Sequence, residues 1–284
     1  MRHASLFILV FMLSVLTLGS SQVPAAGTEG AVLFVAPHRL IIAPDEKVSM
    51  LSISNKSSET RRYDLTLIEQ VMDKTGVTQR KDTFDYSVKR MIKFMPRRFS
   101  LQAGEQQTVR VIVQRPENLP DGDYHSHLLF REVPLNVKDK AQLEEERKAA
   151  EEQKTVSFEI RTLYGIGVPV IVQQGTIVAD LSLGDPKLVR TGDDKRSRLS
   201  LDFTRTGNSE SAGLLKAEYV QTGKAPVPVM DPQWIRVYRE VDQISRDFPL
   251  INIPEDAKGG KIVVSLIKDE ADDSKTVRKE VAFN

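Results

Sequence analysis

Residues 155–172 read TVSFEIRTLYGIGVPVIV, and the prediction of the fold starts from this segment. Its even-numbered positions form an apolar row that only Thr162 interrupts: Val156, Phe158, Ile160, Tyr164, Ile166, Val168, Val170 and Val172. The odd-numbered positions are mostly polar residues, glycine or proline. Because the side chains of a strand alternate between two faces, this pattern predicts one long β-strand with an apolar face.

The length of this strand is unusual. At about 3.3 Å per residue it would extend for about 60 Å, whereas an ordinary strand has about 5–6 residues. A strand of that length would leave its own domain and offer part of its apolar row to another surface. Two interpretations are open: an exposed functional segment, or two ordinary core strands in register, broken near Gly165 and Pro169.

The first 26 residues have the pattern of a secretory signal peptide. Arg2 precedes an apolar run at residues 6–18, and small residues follow at 23–26. The run is shorter than the ~20 residues that cross a bilayer, so we expect cleavage and no membrane span in the mature protein. Export to the periplasm is the predicted localisation.

Charge and cysteine content narrow the class of protein. The 284 residues include 40 basic and 39 acidic ones, and removal of Arg2 with the signal peptide leaves 39 of each. A nearly neutral chain has no basic field for nucleic acid. The chain has no cysteine, so an exported protein of this kind must be held by its cores rather than by disulfides. A bacterial periplasmic or surface protein fits best.

Short strand patterns recur about every ten residues, with turn residues between them, and this rhythm predicts β-sandwiches. We expect two domains, at residues 27–174 and 175–284. The first contains a charged insertion at 137–154 that is rich in Glu, Lys, Ala and Gln. The insertion has high helix propensity but no apolar stripe, so it is either a solvated helix or a mobile loop.

The sequence contains no motif for catalysis or a cofactor. It has no cysteine nucleophile, GxSxG, HExxH or phosphate-binding loop, so we predict a protein that is not an enzyme and needs no cofactor. His125 and His127 share a strand face, but nothing near them in the sequence completes a metal site. We expect them to be exposed or hydrogen-bonded.

Arg39 is a charge inside an apolar strand, next to Leu40 and Ile41. Burying an unpaired charge is costly, so we place Arg39 in a cleft between the two domains. The neighbours Arg131 and Glu132 are expected to form an internal ion pair near the domain junction.

Several segments, in this order, resemble the N-terminal domain of periplasmic pilus-assembly chaperones of the chaperone–usher family. The matching segments are APHRL at 36–40, ISN at 53–55, FMPRRF at 94–99, LQAGEQQTVR at 101–110, LPDGDY at 119–124 and LFREVP at 129–134. The resemblance covers residues 32–172. The long insertion and the absence of cysteine mark a divergent member.

This resemblance implies an all-β protein of two immunoglobulin-like β-sandwich domains in a boomerang arrangement. Such a chaperone lends an edge strand to a pilin-like subunit that lacks one, which is donor-strand complementation. Val156, Phe158 and Ile160 stand at the donor positions. The subunit is the implied partner; an outer-membrane usher and self-association through the donor strand are left open.

The resemblance also implies how the subunit is held: members of the family bind its terminal carboxylate with an arginine in the cleft and a lysine on the last strand of the chaperone's first domain. Arg39 matches the arginine. The lysine has no counterpart at residues 163–168, and Arg161 is the nearest basic residue. The alternative hypothesis is a secreted two-sandwich structural or adhesive pilus component, which the short stretch at 27–30 disfavours because it leaves little chain to donate.

Overall fold

The computed structural model of the protein describes residues 33–135, 163–190, 197–254, 257 and 259–283. Within these ranges the chain consists of β-strands and their connections, with one short 3₁₀ turn at Asp273–Lys275. The strands form four sheets that pair into two sandwiches. The all-β prediction with two immunoglobulin-like sandwich domains is confirmed, whereas the boomerang arrangement stays a prediction.

The first sandwich contains ten strands in two sheets. Its strands are β1 (Leu33–Ala36), β2 (Leu40–Ile42), β3 (Val48–Asn55), β4 (Arg61–Met72), β5 (Thr78–Lys81), β6 (Ile92–Met95), β7 (Arg98–Leu101), β8 (Gln106–Val113), β9 (Gly122–Val133) and β10 (Gly165–Gln174). One sheet has the order β1-β3-β8-β6. The other has the order β2-β10-β9-β4-β5, and β7 also pairs with β4. Apolar side chains from both sheets fill one core.

Two prolines stand where the chain passes from one sheet to the other. Pro37 separates β1 from β2, and Pro96 separates β6 from β7; each pair of strands is divided between the two sheets. Proline has no N–H to donate to a strand ladder, so both ladders end there. Each proline therefore separates two strands that lie in different sheets.

The second sandwich is built in the same way from nine strands. They are β11 (Ala179–Leu183), β12 (Lys187–Arg190), β13 (Ser197–Gly207), β14 (Ser211–Val220), β15 (Val227–Pro228), β16 (Gln233–Val237), β17 (Gln243–Pro249), β18 (Lys261–Ile267) and β19 (Thr276–Ala282). β13 pairs with β11, β12 and β17 in one sheet, and β14 pairs with β15, β16 and β18 in the other, where β19 pairs with β18.

The predicted ion pair between Arg131 and Glu132 is wrong. Neighbouring residues on a strand point to opposite faces, and in β9 this leaves Arg131 exposed while Glu132 is buried. The carboxylate of Glu132 accepts a hydrogen bond from Nη1 of Arg61 at 2.7 Å. Glu132 is therefore held by the adjacent strand β4 rather than by its own neighbour.

Candidate functional site: a strand edge and an arginine at the domain junction

The strand β10 has one side that the strands of the described residues cover only in part. β9 pairs with its full length, from Gly165 to Gln174. On the other side, β2 pairs with Val170–Val172 in parallel. Among the residues that the structure describes, no strand pairs with that side of β10 between Gly165 and Pro169.

The hydrogen bonds between β10 and β9 determine which backbone groups of β10 point to the open edge. The carbonyl of Tyr164 accepts the amide of Glu132. Alternate residues of an antiparallel strand bond to opposite sides, so the N–H and C=O groups of Gly165 and Gly167 point to the open side. Pro169 is tolerated inside β10 because its missing N–H would also face this side. The edge can therefore accept another strand.

The apolar row of β10 leaves the core as it runs toward the N-terminal end of the strand. Val172, Val170 and Val168 are buried in the core of the first sandwich. Ile166 is half-buried, and Tyr164 is 43% exposed. The row thus reaches the surface where the chain enters residues 155–162.

The predicted donor residues Val156, Phe158 and Ile160 lie outside the described residues, as do Arg161 and the insertion at 137–154. Their assignments stay predictions. Whether residues 155–172 form one strand or two is open for the same reason, although residues 165–174 form a single strand.

Arg39 stands at the junction of the two sandwiches, immediately before β2. Its Nη2 donates to Oε2 of Glu210 in the second sandwich, and its Nη1 donates to the hydroxyl of Tyr238 at 3.3 Å. The guanidinium also lies 5.4 Å from the centre of the Tyr238 ring. Burial lowers the pKa of Arg39, but an arginine remains charged at any ordinary pH. The site therefore carries a fixed positive charge.

A second arginine approaches the same carboxylate from the second sandwich. Nε of Arg236, on β16, lies 3.5 Å from Oε1 of Glu210. Sequence reasoning missed both Arg236 and Glu210, because neither stands in a motif and both reach Arg39 only through the packing of the two domains. Arg236 is 197 positions from Arg39 in the sequence, and the two arginines lie on either side of one carboxylate.

The turn that carries Glu210 is fixed to the first sandwich. The buried carboxylate of Asp123, on β9, accepts the hydroxyl of Ser209 at 2.8 Å and the amide of Glu210 at 2.7 Å. The amide of Asp123 donates to the carbonyl of Asn208 at 3.2 Å. Burial raises the pKa of Asp123, while the hydrogen bond from Ser209 opposes that shift. These bonds hold the backbone of the turn in place.

The histidine pair lies at the same junction and is buried rather than exposed. Nε2 of His125 lies 3.1 Å from Oε2 of Glu240, and its ring stacks on Tyr238 with 4.5 Å between ring centres. Burial alone would raise the pKa of Glu240, but the hydrogen bond and charge of His125 and the amide of Met72 outweigh it and lower that pKa. Burial lowers the pKa of His127 to about 4. The pair thus belongs to the domain contact.

Two further findings concern metals and membranes. Within the described ranges, no group of three or more His, Cys, Asp or Glu side chains is arranged to hold a metal ion. In the same ranges, no helix is long and apolar enough to cross a membrane.

None of the protein-family models compared with the sequence matches it, and no curated protein matches it. Similar solved structures exist. The YadV chaperone is 14% identical with a TM-score of 0.45, over 89% of this chain and 100% of that one. The chaperone–tip adhesion subunit complex CsuC–CsuE of Acinetobacter baumannii is 14% identical with a TM-score of 0.43, over 89% and 98%. The CupB2 chaperone of Pseudomonas aeruginosa is 9% identical with a TM-score of 0.44, over 88% and 98%.

Each of these three structures contains a protein described as a chaperone. The likeness is one of overall architecture at low identity. The assignment of two sandwich domains rests on the strand pairing described above.

Proposed function

We propose that the protein is a divergent periplasmic chaperone of the chaperone–usher type that binds a pilin-like subunit at the open edge of β10. The single observation that carries this proposal is that no strand of the described residues covers one side of β10 between Gly165 and Pro169, next to a fixed positive charge. An open edge of this kind pairs with an incoming strand through its main-chain groups.

The structure also gives a direction for the incoming strand. β2 runs parallel to β10 and begins at Leu40, which pairs with Val170. A ligand strand that follows the open edge in parallel would end at the start of β2, beside Arg39. Its terminal carboxylate would then meet a guanidinium, whereas an antiparallel strand would bring an amino group to the same place. Charge therefore favours the parallel strand.

The donor segment is the finer part of the proposal. The apolar row reaches the surface at Tyr164 and continues in the sequence as Ile160, Phe158 and Val156. We propose that these three side chains fill the groove of the subunit, while Arg39 anchors its carboxylate. Arg161 is the remaining anchor candidate. The donated strand covers an edge that would otherwise lead the subunit to aggregate.

The same proposal includes the location and the partners. A cleavable signal peptide would deliver the chain to the periplasm, where it acts by binding rather than as an enzyme. The subunit is the partner with structural support, because the open edge fits a strand. The same kind of binding experiment can test whether the protein also binds an outer-membrane usher or associates with itself through β10.

A capture experiment tests the proposal with matched variants. A tagged pilin-like subunit that lacks its last strand is co-expressed with the wild-type chain, Phe158→Asp or Ser157→Asp, and circular dichroism checks that each folds. We expect Phe158→Asp to lose the subunit and Ser157→Asp to retain it, because the two positions face opposite sides of a strand. Equal capture by both variants would contradict the donor assignment. No capture by any folded chain would contradict the proposed function and favour a structural pilus component.

A further inference from the structure

We propose that Arg39 and Arg236 together form a carboxylate site across the domain junction, and that Glu210 is its internal occupant, which a ligand carboxylate displaces. This inference rests on the proposed function, since the ligand carboxylate is the end of a strand bound along β10. Beyond the proposed function, it assigns Arg236 of the second domain as a second cation of the site and Glu210 as a competitor for the site within the chain.

The contacts of Glu210 have the form of an occupied anion site. One oxygen of its carboxylate accepts from Nη2 of Arg39, and the other faces Nε of Arg236 at 3.5 Å. The two guanidinium groups come from different domains and are about 200 positions apart in the sequence. Two arginines around one carboxylate are the arrangement that proteins use to recognise this group.

Glu210 satisfies this site incompletely. The distance of 3.5 Å to Arg236 is too long for a good hydrogen bond. Nε of Arg39 and Nε of Arg236 are both buried and have no hydrogen-bond partner among the described residues. Buried donors are rarely left unpaired in native proteins. A carboxylate that engages the Nε atoms would therefore gain hydrogen bonds that Glu210 does not make.

Displacement of Glu210 requires only a rotation of its side chain. The amide of Glu210 and the hydroxyl of Ser209 are bound to Asp123, so the turn itself stays docked on the first sandwich. The side chains of Arg39, Glu210 and Arg236 are 18%, 13% and 32% exposed, so the site is reached from solvent on the Arg236 side. The released glutamate would return to water.

The internal occupant has a physical use. In the free protein its single negative charge lies between the two arginines and offsets part of their positive charge. A ligand must then bring both a strand and a terminal carboxylate to replace it. Strands that lack a free carboxylate would pair with β10 and leave Glu210 in place. The competition therefore weakens binding of chain ends only, and Glu210 limits how far β10 prefers a chain end over an internal segment.

Two probe peptides separate this inference from the proposed function. Both are N-acetylated alternating valine–threonine hexapeptides with a fluorescent label; one ends in a free carboxylate and the other in a carboxamide. Fluorescence anisotropy gives the affinity of each for the wild-type chain and its variants. Binding of the carboxamide peptide reports pairing with the β10 edge, and the ratio of the two affinities reports the carboxylate site.

We expect Glu210→Ala to raise the preference for the carboxylate peptide by about tenfold or more, because charged hydrogen bonds contribute at that level. Glu210→Gln, which keeps the shape and removes the charge, should shift the ratio in the same direction. Adding Arg236→Gln to Glu210→Ala should remove the gain. The control Glu280→Ala, which breaks the exposed pair with Lys261, should leave the ratio unchanged.

The outcomes are distinct. If both peptides bind equally to every folded variant, the inference is wrong and the edge-binding function stands. If neither peptide binds any variant, the proposed function and the inference both fail. If Glu210→Ala only lowers stability and leaves the ratio unchanged, Glu210 is a structural ion-pair partner and the inference is wrong.

Discussion

Replacing His127 by glutamine is expected to remove a large part of the acid sensitivity of the fold. Burial, with the electrostatic effects of the neighbouring His125 and Arg39, lowers the pKa of His127 to about 4, although the carboxylate of Glu240 opposes this shift. In an unfolded chain the pKa of histidine is about 6.5. Below pH ~6.5 the unfolded chain therefore binds a proton that the folded chain does not, and the free energy of unfolding falls with pH until about pH 4.

The size of the effect follows from the two pKa values. A difference of about 2.5 pH units corresponds to about 3.4 kcal/mol in total, of which about 2.5 kcal/mol is lost between pH 7.5 and pH 4.5. The stabilising contribution is complete above the unfolded pKa and is lost as the pH falls toward the folded one. The carboxylates of Asp123 and Glu240 also titrate in acid, and both are present in the two proteins, so most of their contribution cancels in the difference. The part that does not cancel is the interaction of Glu240 with His127.

Urea unfolding followed by circular dichroism at pH 7.5, 6.5, 5.5 and 4.5 measures this difference. We expect the free energy of unfolding of the wild type to fall by about 2.5 kcal/mol more than that of His127→Gln across this range. An NMR titration of the folded chain should place the pKa of His127 near 4. Parallel stability curves, together with a measured pKa near 6.5, would refute the argument that burial at the domain junction controls this group.

Two further predictions concern the contact between the domains and a hydrogen-bonded arginine inside the second sandwich. Gly122→Ala should destabilise the protein by more than about 2 kcal/mol, because Gly122 has φ +130° and an added Cβ would lie 2.4 Å from the carbonyl oxygen of Asn208. Gly104→Ala is its control: φ is +74° with no atom within 4 Å of the added Cβ, so a cost of about 1 kcal/mol is expected. Thermal unfolding measures the stability of both variants. Equal losses of stability would contradict a close approach of Gly122 to the carbonyl oxygen of Asn208. Arg205→Lys should cost about 3 kcal/mol, because the buried guanidinium donates five hydrogen bonds that join two turns. Two of these bonds go to the β13–β14 turn and three to residues 239–242, between β16 and β17. Urea unfolding measures the cost, and a value under about 1 kcal/mol would contradict this role of Arg205.

The alternation of apolar residues was sufficient to predict the sandwich fold and the strand β10. Alternation reports burial on one face, and Val168, Val170 and Val172 are buried as it requires. The same reasoning missed β17, Gln243–Pro249, because it carries only Ile244 and Phe248 as buried apolar residues between charged ones. A proline such as Pro37 or Pro96 is a sign in the sequence that a strand ladder ends, but it does not tell which sheet the chain enters next.

The candidate site was predictable only in part. The cost of burying a lone charge was enough to place Arg39 in a cleft between domains, and it lies at their junction. The partners that make this position stable, Glu210 and Tyr238, come from the other domain through tertiary packing. The pairing of Glu132 was misjudged because sequence neighbours on a strand face opposite sides, so a partner must be sought on the next strand.

Hydrogen exchange at Gly165 and Gly167 tests the central claim most directly. In the free chain their amides point to the open side of β10 and should exchange fast, whereas the amides of Ile166 and Val168 point to β9 and should be protected. When a pilin-like subunit binds, the account predicts that Gly165 and Gly167 become protected while Ile166 and Val168 remain so. Binding of the subunit with Gly165 and Gly167 still exchanging fast would show that it is held elsewhere and would contradict the account.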